Sequence, residues 1–170
     1  MPHSIYITFR LAVLFFVSVT AAYTPAFAGP IHDAAKSGNV ATVEQLLANG
    51  TDVNEKDAAF NTALHWASDN GEIEVIHLLV EKGADINAGN LSDRTPLHNA
   101  VFGKHADVVK FLIANGADVN MLNDVGTSPL DDAVDYGLLD IVGMLKNAGA
   151  KCGTSHAYSV RCKAAEGQSE

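Results

Sequence analysis

Apolar and small residues recur along most of this chain with a period of about 33 residues. Leucine, alanine and glycine each return four times in this phase, and asparagine returns at Asn54, Asn87 and Asn120. Self-similarity at one fixed period is typical of a stacked repeat array, in which each unit buries its apolar face against the next. The residues in phase are Leu46, Leu79, Leu112 and Leu145, Ala34, Ala67, Ala100 and Ala133, and Gly50, Gly83, Gly116 and Gly149.

The pattern within one period predicts two helices. In the second unit, residues 73–80 are apolar around most of the circumference of a helix, as a helix that packs on both sides requires. Gly71 and Gly83 stand where a left-handed residue ends a helix at little steric cost. Each unit is therefore predicted to be a turn, a short helix, a tight bend and a longer helix. Lys104 replaces the bend glycine of the third unit and Gly103 comes one residue early, so we expect a distorted bend there.

Two motifs repeat in phase with these predicted helices. Thr95–His98 reads T-P-L-H and is followed by Ala100, and Gly116–Asn120 reads G-A-D-V-N. In both motifs the chain resembles the ankyrin-repeat family, over about residues 30–151. The resemblance implies an all-α solenoid of stacked helix-turn-helix units with short β-hairpin-like fingers, and a protein that binds other proteins. The fourth unit departs from the family motif, because Ser128 replaces the threonine and Asp131 replaces the histidine.

We predict four repeats, with polar substitutions at both ends of the array. Gln45 and Lys146 replace apolar residues of the inner units, and Lys151 replaces an aspartate. A terminal repeat has one face in water, so such changes are expected of caps. The predicted segments are a signal peptide at 1–28, repeats at 29–56, 57–89, 90–122 and 123–151, and a tail at 152–170.

The segment 1–28 has a different pattern. Arg10 is its only Lys or Arg, the apolar run Leu11–Val19 follows it, and Ala26–Ala28 has the small-x-small spacing that a signal peptidase recognises. The run is well short of the roughly 20 residues of a membrane-spanning helix. We therefore predict a periplasmic or secreted protein, cleaved after Ala28 and not inserted in a membrane afterwards. An uncleaved anchor and a buried helix are the alternatives.

The charge of the chain argues against two classes of partner. It has 11 Lys and Arg against 20 Asp and Glu, for a formal net charge of −9. Removal of Arg10 with the signal peptide makes the remainder more acidic by one charge. Such acidity, without a basic stripe, opposes binding to nucleic acid and to anionic lipid surfaces.

Cys152 and Cys162 both follow the last predicted repeat. An even number of cysteines in an exported chain predicts a disulfide, which would fix the tail to the last helix. Nine residues separate the two cysteines, whereas a CxxC redox motif has two intervening residues. Free thiols, and metal or redox chemistry, are the alternatives.

His32, His65 and His98 share the phase of the repeat and suggest a metal site. Helices of adjacent repeats are about 8–10 Å apart, too far for one ion with bonds of about 2 Å to share. The family resemblance implies instead that this histidine makes structural hydrogen bonds near the turn.

No catalytic motif is present: G-x-S-x-G, H-E-x-x-H, the P-loop and the dinucleotide glycine pattern are all missing. We therefore predict a protein that is not an enzyme and needs no cofactor. Asp131, Asp132 and Asp135 form an acidic group, in which Asp131 and Asp135 share one helix face and could bind a cation. A solvated acidic face is the favoured interpretation, because the spacing of a calcium loop is absent. Asn49 and Asn90 fit the glycosylation pattern, which matters only in a eukaryotic cell.

Positions that differ between units are free to serve a partner, because framework residues recur where stacking demands them. The resemblance places the variable positions on a concave face, at finger tips and on the exposed side of each first helix. Aromatic residues and arginine, which most often dominate interface energetics, occur among them. Packing of Trp66 and Phe102 between first helices is the alternative. The predicted partner-binding residues, called the concave strip below, are Trp66, Asp69, Asn70, Leu91, Arg94, Phe102, Asp124, Asp135 and Tyr136.

These observations predict an exported monomer that binds another protein through the concave strip. The alternative is a small-ligand or cation-handling accessory protein of an envelope enzyme, with the carboxylates of the fourth unit as its site.

Overall fold

The computed structural model describes residues 29–155 and 159–165, and all regular secondary structure within them is helical. The signal peptide predicted at 1–28 lies outside the described residues. Within the described part, no helix has the length and apolar character needed to cross a membrane. The helices are α1 (Pro30–Lys36), α2 (Val40–Ala48), α3 (Ala63–Asn70), α4 (Ile73–Glu81), α5 (Pro96–Phe102), α6 (Ala106–Ala114), α7 (Pro129–Asp135), α8 (Leu139–Asn147) and α9 (Ser159–Ala165).

Short inner helices alternate with longer outer helices. The inner helices α1, α3, α5 and α7 have seven or eight residues, and the outer helices α2, α4, α6 and α8 have nine. Each inner helix packs against its own outer helix and against the inner helix of the next unit. The predicted all-α stack of helix-turn-helix units is therefore confirmed. The number of repeats, four, and their residue boundaries stay predictions.

The core follows the phase of the repeat. Large aliphatic side chains on successive inner helices are fully buried, and a second buried set faces them from the outer helices. Each unit thus supplies one apolar layer, and truncation of such a side chain typically costs about 2–5 kcal/mol. The first set is Ile31, Leu64, Leu97 and Leu130, and the second includes Ile76, Leu79, Leu112 and Leu145.

The third bend is not distorted, contrary to the prediction from Lys104. Lys104 has φ +64°, and the bend glycines of the other units have φ of +70°, +76° and +67°. Lys104 therefore adopts the left-handed conformation of the glycine that it replaces, at the modest cost that a non-glycine residue pays there. The corresponding glycines are Gly38, Gly71 and Gly137.

Gly103 serves close packing rather than the bend itself. Its φ is −69°, which any residue adopts, but a Cβ at this position would collide with the Asp69 carbonyl oxygen and the His105 ring. The His105 Nε2–H donates to that same carbonyl at 3.1 Å. The early glycine therefore allows His105 to tie the third unit to the second.

The fingers between units are turns. The side-chain oxygens of Asp57, Asn90 and Asn123, which occupy the same position in successive units, each accept two backbone N–H groups of their own finger. Neighbouring fingers are joined by one backbone hydrogen bond each, from Leu91 N–H to Ala59 at 2.9 Å and from Asp124 N–H to Ser92 at 3.0 Å. Among the described residues no strand forms, so the hairpin-like fingers lack strand pairing.

The in-phase asparagines also link each unit to the next. Side-chain oxygens of these asparagines each accept a backbone N–H from the following unit at 2.8 Å. The in-phase asparagines therefore mark a hydrogen bond that recurs between successive repeats. The pairs are Asn54 with Asp85, Asn87 with Asp118, and Asn120 with Lys151.

Candidate partner-binding surface

Most of the concave strip lies at the fingers and at the ends of the inner helices, and four of its members share one groove. This groove has a volume of about 300 Å³. Asn61 and Asn99, which are outside the predicted set, complete its walls. The strip residues that line it are Trp66, Asp69, Arg94 and Phe102.

Trp66 is held in this groove by a carboxylate. Its indole N–H donates to Asp57 Oδ2 at 2.9 Å, and the Lys36 ammonium lies 4.9 Å from its ring centroid. Burial by itself would raise the pKa of Asp57, but hydrogen bonds from the Asn61 backbone and the Trp66 indole outweigh burial and lower it. The ionised carboxylate therefore fixes the orientation of the ring, which stays partly exposed.

Arg94 crosses the middle of the strip. Its Nη2 donates to Asp132 Oδ2 at 3.2 Å and to the His98 carbonyl at 3.3 Å, and its guanidinium lies 5.5 Å from the Phe102 ring centroid. The side chain of Arg94 is 24% exposed. Burial raises the pKa of Asp132, while the charge of Arg94 opposes that rise. Arg94 is therefore preorganised, with its guanidinium carbon over the Phe102 ring.

Phe102 and Tyr136 form the exposed end of the strip. Their rings meet edge to face with centroids 6.1 Å apart, and 54% of Phe102 and 43% of Tyr136 are exposed. Phe102 is therefore more than half exposed rather than enclosed between inner helices, and its role in binding stays a prediction. Trp66 is partly buried and serves both packing and the groove.

The finger tips add a row of apolar side chains. Phe60, Leu91 and Val125 are 49%, 66% and 55% exposed, and each lies on a different finger. Phe60 has φ +62° at the position that Gly126 occupies, with φ +75°, in the third finger. A left-handed aromatic residue is uncommon and strained. Phe60 was not among the predicted site residues, although its phase with Gly126 is a signal that could have found it.

Three strip residues are bound within the chain or stand apart from the groove. The Asn70 amide donates to the Trp66 carbonyl at 2.9 Å and so stabilises its own helix. Asp135 lies 3.7 Å from the Arg161 guanidinium on α9. Asp124 is exposed at the tip of the third finger, where its backbone N–H serves the finger-to-finger bond.

The in-phase histidines join their inner helices to the segment that follows in the chain, His65 and His98 at the next finger and His32 just before it, and so make the expected structural hydrogen bonds. Each Nδ1 accepts the backbone N–H of the residue before its helix, at 3.0–3.1 Å. Each Nε2–H therefore donates onward to a carbonyl. Burial lowers the pKa of His65 and of His98 to about 4. The acceptors are Glu55 for His32 at 2.9 Å, Arg94 for His65 at 3.0 Å and Thr127 for His98 at 3.2 Å.

Asp131 takes the place of this histidine in the fourth unit and corrects the expectation of a solvated acidic face. It is fully buried, and its Oδ2 accepts the Ser128 N–H at 2.9 Å, the Ser128 hydroxyl at 2.8 Å and the Gly153 N–H at 2.7 Å. Because Asp132 and Asp135 pair with arginines, the three carboxylates serve three different internal contacts. The acidic group is therefore part of the framework, and this geometry does not favour the alternative of a cation site between Asp131 and Asp135.

The tail continues the stack beyond the fourth unit. Cys152 and Cys162 are joined by a disulfide with Cα atoms 5.7 Å apart, and Cys162 is fully buried. Helix α9 packs against α7 as the inner helix of a further unit would. The Thr154 and Ser155 N–H groups both donate to the Gly126 carbonyl, so the tail also caps the last finger.

Two comparisons with known proteins bear on this surface. A family model described as ankyrin repeats (3 copies) matches residues 31–123 and 88–156, which together span most of the chain. No match was found among curated proteins.

Proposed function

Because the chain belongs to the ankyrin-repeat family, we propose that it is a non-catalytic protein that binds another protein through the concave strip and the finger tips. Ankyrin repeats generally mediate protein–protein interaction, and the family is typically non-catalytic. The fold alone does not identify the partner, so the proposal depends on the surface.

One observation carries the proposal: the exposed large apolar side chains are concentrated at the fingers and at the ends of inner helices. Among the described residues six such side chains are exposed, and five of them lie there. Exposed apolar groups that gather on one face are typical of a protein interaction site. The five are Phe60, Leu91, Phe102, Val125 and Tyr136, and the sixth is Leu139 on α8.

The groove behind these side chains supports a preorganised interface. Trp66 and Arg94 are already held by Asp57 and Asp132, so a partner would order few additional side chains. Rigid aromatic and arginine side chains lose little entropy on binding, which favours affinity.

We further propose that the mature protein is exported to the periplasm or secreted, and acts there as a monomer. The basic, apolar and small-residue segments of 1–28 support export, as does the Cys152–Cys162 pair, since disulfides persist in oxidising compartments. Amino-terminal sequencing of the secreted or periplasmic fraction tests this. A first residue of Gly29 is expected, and a chain that retains Leu11–Val19 would contradict export with cleavage.

The binding proposal is tested by crosslinking in the native compartment, with partners identified by mass spectrometry. We expect Tyr136→Ala and Phe60→Gly to reduce the crosslink yield at least fivefold. Phe60→Gly is the sharper variant, because glycine relieves the strain of a positive φ and so preserves folding. Leu139→Ala is the matched control, because it removes an 81% exposed apolar side chain away from the strip. Equal loss in all three variants, or in none, would contradict the proposed surface.

A further inference from the structure

A carboxylate and two sulfurs meet at the junction between the fourth unit and the tail. One carboxylate oxygen of Asp131 and the sulfurs of Cys152 and Cys162 all lie within 4.8 Å of one another. Asp131 and Cys162 are fully buried, and Cys152 is partly buried. The cluster is separate from the concave strip.

The two oxygens of Asp131 differ in their surroundings. Oδ2 receives three hydrogen bonds, two from Ser128 and one from Gly153, whereas Oδ1 is buried and has no hydrogen-bond partner in the structure. A buried carboxylate oxygen without a donor or a cation is unfavourable. The junction therefore contains one oxygen ligand that nothing in its surroundings satisfies.

We propose that Asp131, Cys152 and Cys162 bind one Zn²⁺ ion when the disulfide is reduced. Zinc prefers thiolate, imidazole and carboxylate ligands at about 2.0–2.3 Å, so ligand atoms of a tetrahedral site lie about 3.3–3.8 Å apart. One carboxylate oxygen of Asp131 lies within 4.8 Å of both sulfurs. Cleavage of the sulfur–sulfur bond lets the two sulfurs separate to the spacing of a tetrahedral site, and Asp131, whose Oδ1 has no hydrogen-bond partner, supplies the third ligand atom.

The redox step is balanced by a dithiol reductant. It donates two electrons and two protons, the Cys152–Cys162 bond breaks, two thiols form and the reductant becomes a disulfide. Zinc then displaces one proton from each thiol, because the thiolate is the ligand. The disulfide and the metal are therefore alternative ways to fasten the tail, and neither depends on the binding of a partner.

Cobalt titration of the reduced chain, freed of reductant under argon, tests the site directly. Co²⁺ is expected to bind one to one with a thiolate-to-metal charge-transfer absorption, and Zn²⁺ is expected to displace it. The oxidised chain is expected to show no such band. Far-ultraviolet circular dichroism follows the fold throughout, and a reduced chain that binds no Co²⁺, whether folded or unfolded, would overturn the proposal.

Variants separate this site from other carboxylates. Cys152→Ser and Cys162→Ser are expected to lose the charge-transfer band, and Asp131→Asn to weaken Co²⁺ binding at least tenfold. Asp140→Asn, a change at an exposed aspartate on α8, is the matched control and should bind like the wild type. Equal affinity in Asp131→Asn and the wild type would exclude the carboxylate ligand and overturn the proposal.

X-ray absorption at the zinc edge of the reduced wild type needs no variant, and so covers the case in which Asp131→Asn fails to fold. Two sulfur ligands with oxygen ligands completing the shell are expected. Four sulfur ligands would indicate a site shared by two chains and would overturn the proposal.

Discussion

One position of the inner helix pairs with the following segment in all four units. It is a hydrogen-bond donor in the first three units and an acceptor in the last. His65 and His98 donate from the inner helix to a carbonyl of the next finger, and His32 donates to the Glu55 carbonyl just before the first finger. Asp131 instead accepts from the backbone N–H of Gly153 in the tail. The histidines and Asp131 all accept the backbone N–H that precedes their own helix. They differ only in whether they donate to the following segment or accept from it.

This difference determines which backbone group of the following segment each residue can pair with. A finger of the ordinary kind would present a carbonyl to the Asp131 carboxylate, and two acceptors would then face each other without a proton between them. The tail avoids this conflict because it presents an N–H, and because Gly153 has no Cβ, which would lie only 2.6 Å from Asp131 Oδ2. Asp131 therefore matches the N–H that the tail presents, and not the carbonyl that an ordinary finger presents.

The largest effect is expected when the polarity of an inner junction is reversed. His98→Asp places a buried carboxylate opposite the Thr127 carbonyl, now 3.2 Å from the imidazole. The loss of a hydrogen bond and the burial of an unpaired charge should lower the free energy of unfolding by about 4 kcal/mol. Urea unfolding measures it, and exposed His77→Asp is the control. A loss below about 1 kcal/mol, the size of an ordinary hydrogen bond, would show that the polarity of the junction is unimportant.

The second-largest effect is expected from loss of the disulfide that holds the tail to the fourth unit. Cys152→Ser removes the disulfide that closes a short loop onto buried Cys162, and should cost about 3 kcal/mol or less on the loop-entropy argument. Thermal unfolding under oxidising conditions measures the loss. Reduction of the wild type in metal-free buffer should reproduce it and leave the variant unchanged. Retention of full stability in the variant would mean that the packing of α9 alone holds the tail.

Acidification should weaken the inner junctions selectively. The pKa of His65 and of His98 is about 4 when folded, against 6.5 for the free side chain, so the stability that they provide is present above pH 6.5 and is lost as the pH falls from 6.5 towards 4. Between pH 7 and pH 5 the loss should be about 2 kcal/mol per histidine.

Urea unfolding at both pH values checks this, with His98→Gln as the comparison. The variant is less stable at pH 7 but should lose about 2 kcal/mol less than the wild type on acidification, because it lacks one titrating imidazole. An identical pH dependence in the two proteins would contradict a buried neutral His98.

The smallest expected effect comes from the charge at the last junction. Asp131→Asn keeps an acceptor for Gly153 but loses the charge-assisted character of its bonds, so the oxidised protein should be destabilised by about 1 kcal/mol. Thermal unfolding compares it with Asp140→Asn, an exposed change on α8. Equal stability of Asp131→Asn and the wild type would mean that a neutral acceptor is sufficient there.

The fold could be predicted almost entirely from the sequence, and the candidate surface only in part. Trp66, Arg94, Phe102 and Tyr136 do form a continuous strip, as the variable positions indicated. Their role in binding stays a prediction. Their internal partners could not be predicted, because Asp132 lies 38 residues from Arg94 and no periodic pattern links the two.

The sequence by itself determined the period, the helices and the bonds that recur at each junction. The period and the helices return in the same phase in every unit, the histidine and asparagine of the junctions return in three units, and such repeated local preferences are visible without coordinates. Only the tertiary structure decided whether the exceptions to that period, such as Lys104, Asp131 and Phe60, are distorted, solvated or exposed. The physical reason is that the burial of a residue and the hydrogen-bond partner that it meets depend on the segment that packs against it. Asp131 is buried because the tail folds back onto α7, and nothing within its own unit requires that.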